Sequence, residues 1–269
     1  TKDSTVLNKV AFNAKVKGDP EKISLSDGVL ELDDSKLRFS ATVKDFSGPD
    51  LLFNLDLDKI DLDRYLPPPG EKKSGEEKAG DKKSTAAKKE TDYGPLRSLV
   101  LDGTIKIGEL KANGARIQDL NMKVTAKKGL FHLNPLTLKL YQGDVSSKGT
   151  LDVRQDTPRT NMALQVKGLN VNPLLKDVLN KDFLEGSMQA DLDISMAGDD
   201  AEQIKRTLNG KGDLLFNDGA IVGIDLAGMV RNVKAKFGLA EQGAERPRTD
   251  FSELHSPFTM KQGLSLIHI

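Results

Sequence analysis

Cysteine is absent from all 269 residues, which excludes disulfides and thiolate metal sites but leaves the redox compartment undetermined. Tryptophan is absent and aromatics make up only 5% of the chain, so the stacking platforms of single-strand nucleic-acid binding are missing. Charge of one sign is not in excess: 40 Lys and Arg balance 40 Asp and Glu, and no net field draws the chain to nucleic acid or to an anionic membrane. No run of about 18 apolar residues occurs, so no segment here reads as a membrane-spanning helix. No signal peptide is visible, and the chain begins at Thr1, from which further sequence is expected upstream. At the other end, Leu264-Ser265-Leu266-Ile267-His268-Ile269 matches one reading frame of a transposon adapter used in sequencing libraries. Residues 264–269 are therefore expected to be a non-native tail, with native sequence stopping at about Gly263.

Constellations that carry chemistry are also scarce. The histidines are His132, His255 and His268, and none has a metal-ligand spacing to another. No Gly-x-Ser-x-Gly elbow and no Ser/His/Asp set is present. Asn209-Gly210-Lys211-Gly212-Asp213 lacks the spacing of a phosphate loop and the Ser or Thr after its lysine, and reads as a turn. The row Asp56, Asp58, Asp61, Asp63 lacks the Gly and distal Glu of a calcium loop, so it reads as the wet side of a strand. No residue earns a catalytic role, and no cofactor or metal is implied.

What the sequence has in abundance is alternation with period two. Met188, Ala190, Leu192, Ile194 and Met196 alternate with Ser187, Gln189, Asp191, Asp193 and Ser195. Successive strand side chains point to opposite faces, so this segment has one apolar and one solvated face. The pattern recurs at Leu37, Phe39, Ala41 and Val43, at Leu120, Met122, Val124 and Ala126, at Leu136, Leu138 and Leu140, and at Met162, Leu164 and Val166, with a shorter run at Ile105 and Ile107. Clean alternation belongs to antiparallel sheets with one wet face. Ser26-Asp27-Gly28, Lys128-Gly129, Gln142-Gly143-Asp144 and Asn217-Asp218-Gly219 offer residues that tolerate positive φ, and are expected as the turns of a meander. The fold class is mainly β (α+β by content): an antiparallel, curved amphipathic sheet of repeated units, forming a groove or a sandwich, with a few short helices.

Residues 1–66 read as one β-rich unit and 93–263 as a second. Between them 67–92 open with Pro67-Pro68-Pro69-Gly70 and continue with charged and small residues, too polar to offset their ordering entropy, and read as a disordered linker. The two sides look related. Pro49 to Leu66 aligns without a gap on Pro158 to Leu175, placing Leu55 on Leu164 and Leu57 on Val166, and upstream Val43 meets Val153 if the loop differs by one residue. Both copies run into an Asx expected to cap a helix, Asp63 and Asn172. Helices are expected near 173–180, 200–208 and 225–237, the last capped by Asp225 with Leu226, Val230, Val233 and Phe237 on one face.

From about Leu101 to Gly263 the sequence resembles the C-terminal region of the AsmA family. The segments that carry this are Leu101 to Leu110, Leu140-Tyr141-Gln142-Gly143, Val166 to Leu175, Leu208 to Gly212 running into Asp218 to Leu226, and Arg248 to Leu254. The first 66 residues resemble the preceding repeat unit less sharply. The resemblance implies a protein tethered to the inner membrane of a Gram-negative cell by an N-terminal helix outside this sequence, with a periplasmic body related to the repeating β-groove lipid-transfer proteins. It implies roles in outer-membrane biogenesis, in phospholipid movement and in protein targeting to the membrane, with phospholipid acyl chains and envelope assembly proteins as partners. It brings no enzymatic motif and no active-site residues.

A lipid crossing water exposes its acyl chains at about 0.8 kcal/mol per CH₂, on the order of 10 kcal/mol for a chain, and a continuous apolar trough removes most of that barrier. The candidate lining is Leu37, Phe39, Val43, Leu55, Leu57, Leu120, Met122, Val124, Leu136, Leu138, Leu140, Met162, Leu164, Val166, Leu192 and Ile194. The same residues suit the filled core of a closed sandwich, and a scaffold binding assembly partners through its outer face or strand edges is the alternative role.

Overall fold

A computed structural model of the chain describes residues 5–46, 48–65, 91–224 and 247–267. The expected linker, apart from 91–92, and the expected helix at 225–237 lie outside the described residues. The strands are β1 Val10–Asp19, β2 Lys22–Leu32, β3 Ser35–Lys44, β4 Asp50–Asp61, β5 Val100–Ala112, β6 Ala115–Lys127, β7 Leu130–Leu140, β8 Gly143–Asp152, β9 Arg159–Asn170, β10 Leu184–Ala197, β11 Asn209–Val222, β12 Arg248–Lys261 and β13 Leu264–Ile267. They form one 13-stranded sheet in which spatial order follows chain order. Neighbours are antiparallel except β4 and β5, which pair in parallel with Leu55 opposite Ile105 and Leu57 opposite Ile107. A parallel pair needs a crossover of a dozen residues or more, and residues 62–99 supply it.

The sheet is curved and not closed. No second sheet covers it among the described residues, which sets aside the sandwich. Burial agrees: only nine hydrophobic residues are buried among the described ones, and four of them (Val145, Val166, Leu169 and Ala190) form one cluster around β8 to β10. Two face-packed sheets of this length would bury a far larger set. The segment Leu264–Ile267 pairs with β12. An apolar tetrapeptide after a turn adds to an open strand edge whatever its origin.

The repeat is longer than sequence alignment suggests. β1 to β4 match β6 to β9: strand ends at 19, 32 and 44 answer to 127, 140 and 152, each 108 residues on. Beyond the loop the offset is 109, so β4 at 50–61 answers to β9 at 159–170. The extra loop residue is in the second copy, so Val43 corresponds to Leu151 rather than to Val153. A bulge recurs as well: the register shifts between Leu25 and Gly28 in β2 and between Leu133 and Leu136 in β7, again 108 residues apart.

Two expected turns are bulges. Asp27 and Asp218 have positive φ, as their sequence signals require, but sit inside β2 and β11. The left-handed residue that makes a tight turn also makes a bulge, and local sequence does not separate the two. The caps also shift. The 3-10 turn Leu62–Arg64 is capped by Asp61, which accepts from the Asp63 amide, and α2 Val171–Leu179 starts after Asn170, two residues before the expected Asn172. Asp63 instead accepts from the amides of Asn113 and Gly114 in the β5–β6 turn, at 2.5 and 2.9 Å. α3 Ala201–Thr207 begins where expected, with Asp200 accepting from Glu202 and Gln203. A short α1, Gly94–Ser98, was not foreseen.

These helices tie each margin of the sheet across several strands. On the margin holding the β5–β6 and β7–β8 turns, Asp177 of α2 accepts from the Tyr141 hydroxyl at 2.7 Å and pairs with Arg116 at 3.3 Å. On the opposite margin Arg97 of α1 donates to the Val153 carbonyl at 2.8 Å and pairs with Asp156, while Tyr93 donates to Asp199 at 3.1 Å. The chain's third tyrosine, Tyr65, donates to Asp33 at 2.8 Å. Asp33 and Tyr141 stand at equivalent turn positions, 108 apart, and each turn is held by a hydroxyl–carboxylate bond, although the partners differ in place, since Tyr65 answers to Leu174 and not to Asp177.

Gly114 has φ +79 and a Cβ there would meet the Asp177 carbonyl, whereas Gly168 has φ +68 and open space around it. Gly168→Ala is expected to cost about 1 kcal/mol through backbone strain alone. Gly114→Ala is expected to cost about 1–3 kcal/mol more, because α2 must move. Urea midpoints of the two variants measure the difference, and equal losses would show that α2 does not dock on this turn.

Candidate functional site

Cross-strand register gathers the apolar residues on one face. Phe39 pairs with Leu55, Leu55 with Ile105, Ile105 with Met122, and Met122 with Leu136. The row continues through Ser147, Leu164, Leu192 and Gly212 to Phe258, from β3 to β12 without a break. A second row runs Leu37, Leu57, Ile107, Leu120, and a third Leu138, Val145, Val166, Ala190, Leu214. Val43 pairs with Leu51, Val124 with Leu133, Leu140 with Ile117, and Met162 with Ile194. All sixteen expected lining residues therefore share one face. Val166 is buried and the others are half-buried.

Sixteen members of this face were expected from the sequence, and ten more were missed. Phe12, Leu25, Leu30, Leu51, Phe53, Leu133, Leu214, Phe216, Phe258 and Met260 join it through their pairings. Phe53 was within reach, since it alternates with Leu51 and Leu55. The β2 residues were hidden by a bulge that breaks their period, whereas Phe12 alternates with Val10 and Val16 and was also within reach.

Aromatic rings pave part of the face by lying over glycines of the next strand. A Cβ on Gly28 would lie 2.6 Å from the Phe39 ring, one on Gly103 2.2 Å from Phe53, and one on Gly212 2.4 Å from Phe258. A ring reaching sideways over a glycine covers exposed backbone. Around β8 the face is built of Gly143, Val145, Ser147 and Gly149, and Leu138 and Leu140 of β7 and Leu164 of β9 pack against the buried cluster of Val145, Val166, Leu169 and Ala190. Leu174 of α2 packs against the same cluster. The single polar side chain in the main row, Ser147, donates to the Ala163 carbonyl at 2.9 Å, so it leaves no unmet group on the apolar surface.

The other face is charged and wet. Asp102 pairs with Lys123, Asp119 with Lys139 and Asp193 with Lys211, all substantially exposed and each worth little to stability. His132 is exposed on this face, and His255 contacts Asp213 at 2.8 Å. Among the described residues no cluster of His, Asp or Glu is suited to hold a metal. No helix among them is long and apolar enough to cross a membrane.

Ionisation is perturbed in the marginal clasps and in exposed ion pairs such as Asp152 with Arg154. Burial, then the bond to Asp177, pushes the Tyr141 hydroxyl up to about 12. Burial, then the bond to Asp33, also raises Tyr65. Burial alone would raise Asp33, but the Tyr65 hydroxyl and the amides of Leu7, Lys9 and Asn8 outweigh it and hold its carboxyl below the usual range.

The AsmA family model matches residues 7–269. Protein AsmA of Escherichia coli (strain K12) is 23% identical over 265 residues, covering 94% of this chain and 43% of that protein. The chain thus spans less than half the length of that relative. No solved structure gives a significant match.

Because the folded Tyr141 hydroxyl titrates at about 12, above its ordinary 10.0, its clasp is whole below pH 10 and is lost as pH rises through about 12. Tyr141→Phe should cost about 2 kcal/mol at neutral pH. The gap between wild type and variant should narrow on passing from pH 10 to 12, as read by urea unfolding at each pH. A gap independent of pH would show that the hydroxyl makes no such bond.

Proposed function

The chain belongs to the AsmA family, and from that premise we propose that it is a section of a periplasmic, inner-membrane-anchored protein whose apolar sheet face shields phospholipid acyl chains on their way between the two membranes. Family membership itself implies an envelope-biogenesis or lipid-related role, and the family is generally non-catalytic. The observation that carries the finer reading is the unbroken apolar row from Phe39 to Phe258 on an open sheet. Nine inter-strand steps of about 4.8 Å make it about 43 Å long. Each CH₂ it covers removes about 0.8 kcal/mol of exposure cost, and aliphatic side chains make no demand on chain length or headgroup. The charged opposite face keeps such a surface soluble.

A second reading, a non-catalytic scaffold in outer-membrane assembly and protein targeting, draws its support from the open sheet edges.

The test is lipid retention. The chain purified from a Gram-negative host should carry phospholipid detectable by mass spectrometry. Leu164→Asp combined with Leu192→Asp, neighbours in the middle of the row, should lower the bound amount at least tenfold, because an acyl chain laid there would strip a carboxylate of water. Gln165→Asp, one residue along on the wet face, should leave it unchanged. A folded wild-type chain free of lipid would overturn the proposal.

A further inference from the structure

We propose that the outer edge of β1 is a docking surface for one more β-strand: an extended, amphipathic segment of β5's pattern, laid antiparallel to β1. The repeat points to the occupant. β1 and β6 hold the same place in the two copies, ending at 19 and 127. On β6 the corresponding edge is covered by β5, antiparallel, with Ile107 against Leu120 and Ile105 against Met122. On β1 no described strand takes that position.

The side chains beside the uncovered edge are those such a strand would cover. Val10, Phe12 and Val16 are 62%, 64% and 66% exposed, although their partners Leu32, Leu30 and Leu25 all lie on the apolar face. The Phe12 ring stacks on Phe39 at 5.7 Å, which continues that face to the last strand. Edge strands that must stay unpaired are blunted by inward charge, proline or bulges. The lysines here do not point inward: Lys15 is paired with Asp27 and Lys9 with Glu31, and Lys17 alternates with Val16 and so lies on the wet face. The register shift between Asn13 and Lys15 does not blunt the edge either: its extra residue is in β2, away from the open edge, and β6 has the same shift against β7 between Met122 and Val124 while still pairing with β5. Main-chain hydrogen bonds would supply affinity, and alternate apolar side chains set over Val10, Phe12 and Val16 would supply specificity.

The inference stands whether or not the face carries lipid. Its probe is a synthetic peptide with the sequence of Val100–Ala112, added to the full chain and followed by hydrogen exchange. The expected result is slowed exchange at alternate β1 amides, lost when Ile105 and Ile107 of the peptide are replaced by Lys. Binding should weaken at least tenfold in the Val16→Lys chain, whose position is exposed enough to leave the fold, checked by circular dichroism, unchanged. Absence of protection at saturating peptide would overturn the proposal, as would protection that survives Val16→Lys. β1 amides that become protected simply on concentrating the chain would overturn the choice of occupant in favour of a second copy.

Discussion

A slip of one residue between β4 and β5 would turn Leu101, Ile105 and Ile107 to the wet face while Leu51, Leu55 and Leu57 stayed where they are. Register is therefore the constraint on which the apolar surface depends. It is held in part by pairs that cannot shift: Phe53 needs Gly103 opposite, and Phe258 needs Gly212. Matched bulges keep the parity correct in both copies, so that β1 to β12 hold their apolar sides together.

An open sheet of this kind has little core to hold it. Burial concentrates in the cluster of β8, β9 and β10, and elsewhere most apolar side chains stay half-buried. The margins make up part of the deficit. α1 and α2 each reach across several strands, and every tyrosine of the chain is used in a hydroxyl–carboxylate clasp between segments far apart in sequence. Such bonds tie the strand ends without filling the face between them.

The alternation at Leu120 to Ala126 or Met188 to Met196 is local, and it identified strand, face and sheet type from the sequence. What covers a face is not local. The same residues fit an open sheet and a sandwich, and only the strand order separates them. The parallel joint of β4 and β5 was equally hidden, because its crossover is the stretch with the least pattern. Asp27 and Asp218 show the limit of turn chemistry, since positive φ is required by a bulge as much as by a turn. The repeat was visible at Pro49 and Pro158, where cap and strand lengths coincide, and misplaced upstream, where the one added loop residue was assigned to the wrong copy and the alignment moved by two residues, from Leu151 to Val153.

The central claim is that one continuous face of this sheet, and not the other, receives acyl chains. Photo-crosslinking residue by residue along β9 in living cells measures that directly. A benzophenone side chain placed at positions 161 to 166 should capture phospholipid at Met162, Leu164 and Val166 and fail at Asn161, Ala163 and Gln165, following the two-residue period of the strand. Capture without that period, or capture at none of the six, would contradict the account.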